Sequence, residues 1–504
     1  MFARVKPLER LLAESGAGPD TTPEVVPSQI AQGAPVTGAT LKRTLGPISL
    51  MAMGIGAIIG TGIFVLTGVA AATRAGPSLT ISFVVAGIVS AFAALCYAEV
   101  ASRVPIAGSA YTFAYASIGE FIAWIIGWDL VLEYALGAST VSIGWSGYFV
   151  TLLKNALGIV IPPQFTSSHW TVGVGGVITT GPGFMNLPAF LIILLVGLLL
   201  YRGTRESALF NNIIVTLKVC VVLFFIILGV GHVNTGNWTP YFPFGIAGML
   251  GGAAFIFFAY IGFDAISTAA EECQRPERDL PFAIIGSLAV CTVLYIIVVA
   301  ILTGIVPYTK LNVPQPVAFA MDSVGMGWAS TLISLGAIAG LTTVLLVMMF
   351  GQIRVFFAMS RDGLLPPVFS RVHPRFRTPG VSTIIFTILI ATTAAFTPIG
   401  IVAALTNMGT LVAFILVAIA LPILRGRYPR TQGFSVPFGP YVVPAFSAVT
   451  ALGLIWSLQY GSPLWLGIPS PWLGFIVWLF IGLGIYFFYG RAHSTVGREE
   501  GPAV

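Results

Sequence analysis

Charge is what this sequence has least of. Only 8% of its 504 residues are charged, against roughly 25% in a soluble globular chain, while 57% are hydrophobic and mean hydropathy is +0.94. That composition excludes a water-soluble domain and predicts an all-α membrane protein with many passes. Cysteine is scarce as well. Cys96, Cys220 and Cys291 fall inside apolar runs and Cys273 in a connection, a spacing that builds neither a disulfide framework nor a zinc site. A GxxxxGK[ST] phosphate loop is absent, which excludes an ATP-driven pump of that type. GWSGY at 144–148 lies within an apolar run, outside any strand–turn–helix setting, and reads as small-residue packing rather than a nucleophile motif. With no nucleophile, metal cluster or sizeable domain outside the membrane, neither an enzyme nor a receptor is expected, and no cofactor or metal is implied. The first 46 residues hold no apolar core of a secretory signal. They predict a flexible tail, with a short amphipathic patch from Val5 to Ala13 on the membrane surface.

What the chain has instead is apolar runs of about 20 residues, the length that crosses a bilayer. Twelve are read, near 47–72, 77–103, 120–152, 186–202, 208–231, 245–270, 281–306, 327–358, 379–398, 401–424, 440–460 and 470–489. An even number puts both termini on one side. Twenty Lys and Arg residues fall on the tails and even-numbered connections and three, Arg74, Lys154 and Lys310, on the other side. This bias predicts cytoplasmic termini. The net charge of +6 is then a topology signal, not a nucleic-acid footprint.

Within the first run, MGIGAIIGTGIF at 53–64 carries Gly54, Gly56, Gly60 and Gly62. Each glycine costs a helix about 1 kcal/mol relative to alanine. Two readings are open. The helix is broken and offers freed main-chain groups to a solute, as discontinuous transporter helices do, or the glycines form a GxxxG packing face. The sixth run favours the break. FFAYIGFDAISTAAEE at 257–272 sets Gly262 beside Asp264, about 200 residues later and five runs on. Two unusual segments, each first in a five-span unit, predict an inverted repeat: 47–231 and 245–424, followed by two further helices at 440–490 and a tail at 491–504.

Charges inside spans are rare and functional. Lys218 lies eleven residues after Ser207, about 16 Å along a helix and near mid-depth of a ~30 Å core. From there its stem hardly reaches the interface, so it is expected to face the interior and carry a proton. Asp129 and Glu133 share one helix face, with Glu133 the deeper. Asp264 is either a hinge-stabilising acid or a gate. Arg103, Glu206, Glu271, Glu272, Arg275 and Arg361 read as solvated ends.

ALCYAE at 94–99, PIAGSAYTFAYASIGEFIAWIIGWDLVLEY at 105–134 and GQIRVFFAMSRDGLLP at 351–366, with the two glycine segments, resemble the cationic amino acid transporter family. That family belongs to the amino acid–polyamine–organocation superfamily. The resemblance runs from about residue 40 to 490 and implies a bacterial, inner-membrane member with the LeuT-like five-plus-five fold. It implies that Ile58, Gly60, Thr61 and Gly62 receive a substrate carboxylate. Carbonyls of Phe258, Ala259 and Ile261 would hold the ammonium, with Phe258 also a gate. Glu133 would stand near the pocket and Met348 would face the substrate side chain. Lys218 matches a lysine that replaces sodium in proton-coupled relatives, so the proton, not sodium, is the expected coupling ion. The expected function is proton-coupled uptake of cationic or small neutral L-amino acids, with lipid around the chain and no nucleic-acid partner. An exchanger without net proton movement is the rival reading. A channel would need a continuous polar pore, which the scattered charges do not provide.

Overall fold

An apolar segment surrounded by lipid must satisfy its own main-chain groups, so each run is expected to be helical. A computed structural model of the chain describes residues 4–6, 45–104, 109–203, 208–264, 266–267, 273–428 and 433–496. Most of the described chain is helix: α1 (Pro47–Ile58), α2 (Leu79–Arg103), α3 (Ser109–Ser117), α4 (Glu120–Leu157), α5 (Leu187–Arg202), α6 (Ala208–Gly229) and α7 (Gly245–Ile256). There follow α8 (Pro276–Ile305), α9 (Pro316–Ser323), α10 (Gly327–Arg361), α11 (Gly380–Phe396), α12 (Ile399–Arg427), α13 (Val442–Ser457) and α14 (Ser470–Ile485). Among the described residues, seven helical stretches are long and apolar enough to cross a membrane, and four shorter apolar helices accompany them. The protein is a helical, multi-pass membrane protein.

Burial separates core from rim. The apolar window of α4 is 72% buried, whereas that of the last stretch, Ser470–His493, is 22% buried and leaves most of its side chains exposed. Around α4 pack α10 and α12, while α2 lies along α8 and α1 along α8 and α6. Small residues let α4 approach: Gly144 abuts Val65 and Gly147 abuts Pro314, so GWSGY is indeed a packing face. Two antiparallel hairpins, Trp170–Val172 with Ile178–Thr180 and Leu464–Trp465 with Ile468–Pro469, lie near the end of the bundle that carries Arg74.

The opposite end is tied by buried carboxylates. Glu99 on α2 accepts both Nε (2.6 Å) and Nη2 (2.5 Å) of Arg425 on α12, Nε of Arg103 (2.8 Å) and the Val436 N–H (2.7 Å). Arg103, with 7% of its side chain exposed, is therefore a structural partner and not a solvated end. Arg275 and Arg361 are exposed, and Glu206, Glu271 and Glu272 lie outside the described residues. The described part of the N-terminal tail departs from the expected loose segment. Arg4 O accepts the Glu120 N–H, and Lys6 is buried with Nζ 3.1 Å from Asp362, which also takes the Tyr111 hydroxyl. Residues 7–13 of the proposed amphipathic patch lie outside the described residues.

Removing one member of a buried pair leaves the other charge uncompensated, at about 3–5 kcal/mol. Glu99→Ala strands two guanidinium groups and one N–H, so its thermal unfolding midpoint in detergent is expected to fall by several degrees. An unchanged midpoint would show that these ends do not depend on the cluster.

Candidate functional site

The glycine-rich first run is broken. α1 stops at Ile58, Ile59 turns extended (φ −71°, ψ 101°), and the chain resumes after Thr61 as a π-helical turn, Gly62–Leu66. Ending a helix strips its last carbonyls of their donors. Side chains from elsewhere meet two of them: Lys218 Nζ donates to Gly56 O at 2.7 Å and the Tyr295 hydroxyl to Ile58 O at 2.8 Å. On the other lip, the Phe64 N–H donates to Gly60 O (3.2 Å), and the N–H groups before it in the new turn have no preceding turn to receive them. Thr61 does not cap them, and its own Oγ1 is buried without a hydrogen-bond partner. One lip thus carries carbonyls already answered by donors. The other carries N–H groups and a free hydroxyl, a setting suited to an anion.

The second glycine segment breaks as well. After α7 comes one 3-10 turn, Phe257–Tyr260, then extended Ile261 (φ −59°, ψ 132°) and Gly262 at φ +121°, a conformation that favours glycine. Asp264 Oδ1 accepts the Gly262 N–H (3.2 Å), so this acid stabilises the bend. From α12, Asn407 Nδ2 donates to Ala254 O (3.0 Å) and Phe255 O (2.6 Å) just before it. Phe258 O already accepts the Ile261 N–H at 3.2 Å, leaving one lone pair for any further donor.

The two breaks meet reciprocally. A Cβ on Gly62 would fall on the Ala259 main chain, and one on Gly262 would lie 2.8 Å from Ala57 O. Gly54 abuts Ile266, Gly56 abuts Val215 and Gly60 faces Val344. Four glycines thus serve four neighbours, which rules out a single GxxxG face for the stretch. α4 passes over the first break, where a Cβ on Gly144 would meet Thr61 Cγ2 at 3.3 Å.

Ile58, Gly60, Thr61 and Gly62 are therefore brought together with Phe258, Ala259 and Ile261, all buried. Lys218 is 2% exposed, its stem packed on Gly340, with no ion-pair partner among the described residues. Glu133 is not at the same level. It precedes Gly144 by eleven residues, about 16 Å along α4, and shares its electrostatic surroundings with Asp264, with Thr410 within hydrogen-bond reach. Met348 lies between these levels, its sulfur next to Gly137. Asp129 is buried beside Gly409 with neither oxygen hydrogen-bonded. Sequence reading missed Tyr295 and Asn407. Both are polar groups inside apolar runs, VLYIIV and LTNMGT, and that was the signal available.

The profile of the amino acid permease family matches residues 45–496. The chain is 47% identical over 460 residues to the methylthioribose transporter of Bacillus subtilis, covering 91% of this chain and 96% of that protein. To the branched-chain amino acid permease BcaP of the same organism it is 49% identical over 461 residues, covering 91% and 95%. The vacuolar cationic amino acid transporter 4 of Arabidopsis thaliana is 39% identical over 391 residues, covering 76% and 64%. These relatives are named as transporters and permeases, not as enzymes.

Proposed function

Because the chain belongs to the amino acid permease family, we propose that it is a proton-coupled symporter of neutral, branched-chain-sized amino acids in a bacterial inner membrane. The observation that carries this reading is the reciprocal contact of the two breaks, Gly62 on Ala259 and Gly262 on Ala57, with Lys218 on Gly56 O near the end of α1. A zwitterion between the breaks meets N–H groups and the Thr61 hydroxyl with its carboxylate, and carbonyls of the Phe258–Ile261 turn with its ammonium. Each lip complements one charge. The ammonium of Lys218 occupies a place where carbonyls freed by a broken helix would otherwise gather a cation. A buried ammonium facing one carbonyl and no counter-ion is costly. Movement of α1 away from it therefore favours release of its proton, and that links proton transfer to the swing of the bundle.

In this reading the chain crosses the membrane twelve times, the Pro47–Arg103 stretch counting twice, with both termini in the cytoplasm. The units 47–231 and 245–424 are the two halves of an inverted repeat, each beginning with a broken helix. Neutral substrates are favoured over cationic ones because the permease named for branched-chain amino acids shares 49% identity, against 39% for the plant cationic transporter. The placement of Glu133 beside Asp264, away from the Thr61 lip, agrees with that choice. Ligand binding stabilises a folded protein in proportion to the logarithm of concentration over Kd. Leucine, isoleucine or valine is therefore expected to raise the unfolding midpoint of the purified chain at concentrations where arginine and methylthioribose do not. Stabilisation by arginine alone would overturn the substrate assignment.

A further inference from the structure

On the Arg74 side of the breaks lies a second feature, a cavity of 190 Å³. Val69, Ile143 and Phe255 give it apolar walls, Thr73, Thr171 and Asn312 give it polar ones, and no Asp or Glu among the described residues lines it. Its volume falls below the roughly 300–1,000 Å³ of drug-sized pockets and suits a molecule of amino-acid size. Val69 follows Thr61 by eight residues, about 12 Å of helix, and Val65, packed on Gly144, lies between them in the chain.

Arg74 is the charged group of this cavity, and it is 4% exposed. Its guanidinium carbon stands 4.4 Å from the Phe255 ring centroid, Nη1 donates to Tyr460 O and Nη2 to Ser462 Oγ at 3.3 Å. Gly461 leaves room for this arrangement, since a Cβ there would lie 3.1 Å from Arg74 Cγ. A guanidinium has five N–H donors. Two are used by the protein, and no carboxylate forms an ion pair with Arg74 among the described residues. Burying a cation without an anion is expensive, and an aromatic face offsets only part of it. The three remaining N–H donors suit an anion of planar, two-oxygen geometry, which a guanidinium fork binds best.

We propose that this cavity is an outer docking site, in which Arg74 takes the carboxylate of an amino acid before Val65 and Gly144 part and the molecule moves on to the breaks. The proposal rests on the transport reading above, and its test separates the two. The probe is 4-methylpentanoate, which is leucine without its ammonium, added to the purified full-length chain while thermal unfolding is followed. It is expected to stabilise the unaltered protein and Thr61→Val alike, whereas leucine keeps in Thr61→Val only the smaller, Arg74-dependent part of its shift. In Arg74→Gln at least a ten-fold higher concentration of 4-methylpentanoate is expected for the same shift. Val69→Phe, which fills the cavity and keeps Arg74, is expected to show the same loss and covers the case in which Arg74→Gln does not fold. A shift that survives both Arg74→Gln and Val69→Phe overturns the docking site. So does a shift lost in Thr61→Val, which would put the carboxylate at the breaks, or one absent from the unaltered protein while leucine stabilises it. If leucine itself has no effect, the substrate assignment fails, and the Arg74 dependence of the carboxylate shift still decides the docking site.

Discussion

Gly62→Val is expected to lower the initial rate of amino acid uptake by about 100-fold, the cost of displacing a positioned site by about 1 Å. The side chain of residue 62 points at the other broken segment, and even its first carbon would lie on the Ala259 main chain. A valine there forces the two breaks apart, so the carboxylate lip and the ammonium lip no longer fit one zwitterion. Gly60→Ala is the internal control. At Gly60 a Cβ meets the two Val344 methyls at 3.4 and 3.6 Å and Ile58 O at 4.0 Å, ordinary contacts, and the site is expected to keep its rate within a few-fold. Measured in liposomes at equal reconstituted amounts, equal losses at the two positions would show that the stretch is sensitive to any added carbon. The reciprocal packing of the breaks would then not be the cause.

Lys218→Met is expected to abolish concentrative uptake while leucine still binds. Methionine keeps an unbranched stem of similar length against Gly340 but has no proton to give and no donor for Gly56 O. The unpaired carbonyl costs about 1–3 kcal/mol of stability, which a protein of this size should survive. Accumulation driven by a pH gradient should then drop to equal concentrations inside and outside, with the thermal shift by leucine retained. A methionine variant that still concentrates leucine would make Lys218 a structural donor to α1 and place the coupling elsewhere.

Much of this was legible in the sequence because lipid leaves the backbone few choices. Apolar runs near 327–358 and 186–202 become helices Gly327–Arg361 and Leu187–Arg202, since a buried N–H or C=O must find a partner in its own helix. The breaks were legible for the converse reason. Glycines that weaken a helix within such a run, with Asp264 beside Gly262, mark where the backbone is satisfied by something else. What satisfies it was not legible. Lys218 could be placed at mid-depth by counting residues, but its partner, Gly56 O, lies 162 positions away and is set by how α6 meets α1. Arg103 read as a solvated end because its place in the chain says nothing of Arg425, which completes the Glu99 cluster from 326 positions beyond Glu99. Arg74 was assigned to a short connection by topology, whereas the cavity around it is assembled from segments as distant as 166–172 and 458–463.

The most direct test of proton-coupled transport is leucine accumulation in sealed liposomes that hold buffer and no amino acid, under an inward pH gradient of one unit. A symporter that moves one proton per leucine is expected to concentrate it toward about ten-fold, because each ~1.4 kcal/mol of gradient supports a factor of ten, and a protonophore should collapse the accumulation. Uptake that ignores the gradient and appears only when amino acid is loaded inside would identify an exchanger and contradict the account.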